Sequence, residues 1–231
     1  MKQQINLELM GFIEKDILPR YTAFGASHGL SHVTRVIRNA LELVGPTGAD
    51  INMVYVIAAY HDLGMAGPRA IHHLTGGKIL AADARLKKWF SPEQIRVMKE
   101  AVEDHRASAS HAPRSIYGKI IAEADRDLDP STVFRRAVQF GLENEAEQNA
   151  IQQWERFEKH MEEKYSVHGY IHLWINNSPN EKNLKELRRI IADKIELHRW
   201  FDKLYAEETA AATIRDSKGN SNRPLKTSRK S

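Results

Sequence analysis

The residues of this 231-residue chain best suited to chemistry are imidazoles and carboxylates. It has eleven histidines and no cysteine, so disulfides, zinc ribbons and thiol nucleophiles are excluded, and a metal would have to be held by nitrogen and oxygen donors. The most distinctive pair is His61-Asp62, which follows the small, apolar run Val56-Ile57-Ala58-Ala59-Tyr60 and precedes Leu63-Gly64. Neighbouring side chains on a regular helix point about 100° apart, but at a helix end, where Gly64 permits an abrupt turn, both can face one ion. An adjacent imidazole and carboxylate there suit a divalent metal. Alone, the pair is more commonly a helix cap or a hydrogen-bonded buried histidine, so its surroundings decide.

Those surroundings read as helices. Over 32–44 the apolar residues Val33, Val36, Ile37, Ala40, Leu41 and Val44 recur at steps of three and four, which places them on one face behind His32. Gly45, Pro46 and Gly48 end that helix, and Ala49-Asp50-Ile51 starts the one that terminates in the doublet. Further helices are expected over 70–84, carrying His72 and His73, and from Ser91-Pro92-Glu93, a capping serine with proline at the first helical position, to His105. A loop over 107–114 precedes a helix from Ser115 that delivers Ile120, Ile121 and Ala122 to the core before Asp125. Helical period continues over 132–141, 145–165 and 183–205, where Trp154, Phe157, Trp200 and other aromatics read as core, with a homodimer surface as the lesser reading. No alternating strand pattern or internal repeat is evident. The fold class is all-α, with the ligand candidates at helix ends.

With His32 upstream in His32-Val33-Thr34-Arg35-Val36, the doublet at His61-Asp62 and Asp125 downstream in Ala124-Asp125-Arg126, the sequence resembles the HD-domain superfamily of metal-dependent phosphohydrolases. The resemblance covers about residues 20–130, and the longer segment from His28 to Val36 looks most like the small bacterial HD hydrolases. It implies a helical bundle with additional C-terminal helices and a metal on His32, His61, Asp62 and Asp125. In dinuclear members the doublet aspartate bridges two ions, which makes His72 and His105, and less readily His73, candidates for a second ion or for direct phosphate contact. Asp62 and His105 would then carry catalysis. Arg69, Arg106, Lys78 and His28 are candidates for substrate binding, with Arg69 and Arg106 favoured as phosphate clamps; Arg35 and Arg126 are further cations near the ligands. His28 is expected in the turn before the helix.

The implied function is hydrolysis of a nucleotide or other phosphate ester or phosphodiester by a metal-activated water, with leaving-group protonation by solvent, Asp104 or Glu123. The metal would be one or two divalent ions, with Mn, Fe, Co, Zn, Ni and Mg all compatible. Two alternatives share the scaffold: a di-iron oxygenase using the same six ligands, and a non-catalytic nucleotide-binding helical domain. Charge does not point to nucleic acid, because six basic residues against Asp216 give 209–231 a net +5 and leave −1 for the body of a chain that totals +4. That tail lacks the aromatics that base stacking uses and is expected to be disordered, behind a single domain over 1–208. No apolar run approaches the roughly 20 residues of a membrane span, and the expected location is the cytoplasm.

Overall fold

A computed structural model describes residues 3–25, 28–45, 47–109 and 111–220, the segment 212–220 by backbone alone. Among the described residues there are ten α-helices and no strand, as expected for an all-α chain. Residue contacts group into two units, Met1–Asp127 with Ile171–Glu181, and Leu128–Tyr170 with Lys182–Ser231.

The first unit is built around helix α3 (Ile51–Tyr60). Every residue from Met53 to Tyr60 is buried, so the helix is apolar on all sides and must be surrounded. It is: α2 (Leu30–Val44), α4 (His72–Ala82), α5 (Pro92–Glu103) and α6 (Ile116–Ala124) all pack against it. Around it also lies a continuous helical run made of α1 (Leu7–Phe12), a π-helical turn (Ile13–Ile17) and a 3₁₀ turn (Leu18–Ala23). In that run Leu9, Ile13, Ile17 and Tyr21, four residues apart, are all fully buried. The sequence reading assigned this segment no element.

Helix starts follow local chemistry. The Asp50 carboxylate accepts the Asn52 and Met53 N–H groups at 2.8 and 3.3 Å, and Ser91 and Gln94 form a reciprocal capping box ahead of Pro92. In the second unit α7 (Pro130–Asn144) and α8 (Ala150–Tyr165) pack with α10 (Lys194–Asn220) around Phe134, Trp154, Phe157, Trp200 and Phe201, whose rings lie 5.3–6.0 Å apart.

Two elements differ from the sequence expectation. The single helix expected over 183–205 is divided into α9 (Pro179–Ala192) and α10 at Asp193, whose carboxylate accepts the Ile195 and Glu196 N–H groups at 3.1 and 3.0 Å. The apolar period runs through this cap and conceals it. Helix α10 also continues to Asn220, into the segment expected to be a disordered tail; residues 221–231 of that segment lie outside the described residues.

Because Asp50 starts the helix that carries the doublet, Asp50→Ala is expected to cost about 1 kcal/mol through loss of the cap. The check is urea unfolding of the full chain, with a lower midpoint at unchanged slope.

Candidate metal centre

Each candidate ligand stands at or beyond a helix end, where the chain can turn and aim side chains independently of helical period. His61 follows α3 in helical conformation, and Asp62 then leaves it at φ −105°, ψ 6°. His28 lies in the turn before α2 and His32 in its first turn; His72 is the first residue of α4; His105 follows α5; and Asp125 follows α6.

Gly64 acts differently from the sequence expectation. Its role is close approach, since a β-carbon there would stand 1.9 Å from the His72 carbonyl oxygen and 2.7 Å from the Gly76 nitrogen. The absent side chain is what lets the segment after the doublet lie on the first turns of α4.

Asp62, 2% exposed, is the hub. Its Oδ2 is 2.8 Å from His28 Nδ1 and 3.3 Å from both His32 Nε2 and His61 Nε2. Its Oδ1 faces His72 Nε2 at 3.4 Å and His105 Nε2 at 3.6 Å. Asp125 Oδ1 closes the Oδ2 side, at 3.2 Å from His32 Nε2 and 3.9 Å from His61 Nε2. The donors form three overlapping groups able to hold an ion: His28, His32 and Asp62; His32, His61 and Asp125; and Asp62, His72 and His105.

The donor chemistry fits a divalent metal. His61, His72 and His105 donate Nδ1–H to the carbonyls of Ala58, Arg69 and Val102 at 2.8, 2.8 and 2.6 Å, which leaves a lone pair on each neutral ring's Nε2. The lone pairs of His72 and His105 face each other at 3.0 Å, and that of His61 faces His32 Nε2 at 3.2 Å. Two lone pairs at hydrogen-bond distance need a cation between them, and donors about 2.1 Å from a common ion lie roughly 3.0–3.4 Å from one another. His32 is the exception: the Arg35 guanidinium donates to its Nδ1 at 3.1 Å, and a neutral His32 then carries its proton on Nε2.

The charges tell the same story. Burial opposes ionisation of His32, but hydrogen bonds and charge from Asp125 and Asp62 raise its pKa to about 9. His61 is raised too: burial opposes this, but the charge and hydrogen bond of Asp62 together with the charge of Asp125 outweigh it. Burial also opposes a charged Asp62, yet His61 and hydrogen bonds from His105, His28 and His32 hold it far below the usual carboxylate range, and His32 and His61 do the same for Asp125. The two carboxylates are held ionised among imidazoles, and an ion entering between His32 and His61 has to displace a proton.

Other sequence candidates fall around this centre. His73 is half-buried beside His72, its pKa lowered to about 4 by burial and by Arg106, and it belongs to none of the three donor groups. Arg69 and Lys78 are exposed, whereas Arg106 is half-buried and donates to the Ala70 carbonyl at 2.8 Å. Arg35 pairs with Asp127 at 2.7 Å, and Arg126 donates to the His172 carbonyl. Asp104 and Glu123, considered as acids, are already engaged: Asp104 accepts from the Arg114 guanidinium and backbone N–H, and Glu123 Oε2 accepts the Trp174 and Ile175 N–H groups.

The sequence reading missed Tyr21. Its hydroxyl donates to the Ala59 carbonyl at 2.9 Å and accepts the Asp62 N–H at 3.3 Å. The four-residue spacing of Leu9, Ile13, Ile17 and Tyr21 was the available signal for the element that carries it.

Residues 29–128 match the family model of the HD domain. Among solved structures, a predicted HD superfamily hydrolase from an uncultured Thermotogales bacterium is 18% identical, with 84% of this chain and 92% of that chain covered at a TM-score of 0.48. No curated protein matches the chain.

Gly64→Ala is expected to push the first turn of α4 away, with a loss of about 1–3 kcal/mol from overpacking and weaker metal binding. Gly67→Ala, whose β-carbon would stand 3.6 Å from the Gly64 carbonyl oxygen, should do neither. Chemical unfolding and metal content of the two variants check this.

Proposed function

We propose that this chain, whose residues 29–128 match the HD-domain model, is a metal-dependent phosphohydrolase acting on a nucleotide or other phosphate ester or phosphodiester. The observation that carries this reading is the placement of the two Asp62 oxygens, each against its own pair of imidazole Nε2 atoms. His32, His61, Asp62 and Asp125 would hold one divalent ion, and Asp62, His72 and His105 a second. Bound there, such an ion supplies Lewis acidity toward a phosphoryl oxygen and lowers the pKa of water.

The chain's own groups do the rest. The carbonyls of Ala58, Arg69 and Val102 fix ring orientation, so donors do not have to reorganise during the reaction. Arg106, next to His105 and held by one N–H on Ala70, is the half-buried cation placed to meet a phosphate; exposed Arg69 is a second. With Asp104 and Glu123 Oε2 engaged elsewhere, the leaving oxygen takes its proton from solvent, which reaches the centre past the half-buried His28 and Asp125.

The test is a panel of nucleotides and phosphodiesters offered to the full chain with different divalent metals. Metal-dependent hydrolysis is expected, with metal and activity lost together in Asp62→Ala, since that carboxylate serves every ion in the centre. His105→Ala should fall from two ions to one and slow by about 10²–10³-fold. Retained metal with full hydrolysis in Asp62→Ala contradicts the proposal.

A further inference from the structure

In the last turn of helix α3, just before Tyr60, stand two alanines whose carbonyls are both taken by side chains. The Ala58 carbonyl accepts His61 Nδ1–H, which orients the imidazole of the doublet. The Ala59 carbonyl accepts the hydroxyl of Tyr21, and the same hydroxyl oxygen accepts the N–H of Asp62. One phenol therefore bridges the last turn of the helix to the peptide of the hub carboxylate, at the point where Asp62 leaves helical geometry.

The bridge is rigid. Tyr21 is fully buried, Phe24 packs edge-on against its ring at 5.4 Å, and the ring hangs from the helical run whose Leu9, Ile13 and Ile17 are equally buried. Burial, followed by the charge of Asp62, drives the phenol pKa well above its ordinary value, so the hydroxyl stays neutral and keeps both its donor and its acceptor role.

From this geometry we infer that Tyr21 is a positioning residue for the metal centre: through the Asp62 peptide it fixes the direction in which the carboxylate presents one oxygen to each histidine pair. The inference rests on the reading of Asp62 as a shared metal ligand. Removing the hydroxyl leaves the Asp62 N–H and the Ala59 carbonyl unpaired in the interior, and the end of α3 can then turn. Loss of a partner that orients a ligand typically weakens metal binding about 10–100-fold.

Tyr60 supplies an internal control. It is fully buried in the same helix, and its hydroxyl donates to Asp83 Oδ2 at 2.8 Å rather than to the doublet. The experiment is titration of the full chain with Co(II), followed by visible absorption, in wild type, Tyr21→Phe and Tyr60→Phe. The expected result is a Co(II) dissociation constant about 10–100-fold higher and a changed band shape in Tyr21→Phe only. Wild-type affinity and spectrum in Tyr21→Phe, or equal weakening in Tyr60→Phe, overturns the inference. Absence of Co(II) binding in the wild type overturns the metal reading itself and this inference with it. Should Tyr21→Phe fail to fold, amide exchange at Asp62 in the metal-free wild type decides: slow exchange supports the bridge and fast exchange overturns it.

Discussion

A carboxylate charge buried to 2% exposure cannot stand alone, and the first unit of this protein is organised around satisfying the one on Asp62. Burial alone would favour a neutral acid. The structure instead surrounds the group with His28, His32 and His61 on one oxygen and His72 and His105 on the other, which keeps it ionised. Three of those imidazoles are held by backbone carbonyls with Nδ1 donating and Nε2 turned to the carboxylate, so the charge is balanced by protons on the histidines or by an ion that displaces them. A divalent ion meets that demand.

The depth of the centre follows from the core. Helix α3 is apolar all round, and the doublet at its end is consequently carried inward with it. Five other segments then bring their own ends to the same place: the 3₁₀ turn with Tyr21, and the ends of α2, α4, α5 and α6. Carbonyls beside the helix ends also accept side-chain donors, and here those of Ala58, Arg69 and Val102 orient ligand rings. The groups that terminate the helices thus also tune the donors.

Much of this could be read from the chain. The amphipathic period behind His32, the apolar run before His61-Asp62 and the capping signals at Asp50 and Ser91 rest on local physics, and the corresponding helices form where those signals lie. What could not be read depends on contacts distant in sequence. Tyr21 meets Asp62 across 41 positions, and nothing local distinguishes it from any other core tyrosine. Gly64 reads as a turn residue, whereas its consequence is a close approach to His72. Asp104 and Glu123 look like available acids until Arg114 and the backbone at Trp174 are placed beside them. Asp193 caps a helix inside an unbroken apolar period, so composition hid the break.

The central claim is that the two oxygens of Asp62 belong to two adjacent ion sites. Electron paramagnetic resonance of the full chain loaded with two equivalents of Mn(II) tests it most directly. A carboxylate shared by both ions predicts the broadened spectrum of a spin-coupled pair, whereas the six-line signal of isolated Mn(II), persisting at full loading, would contradict the account.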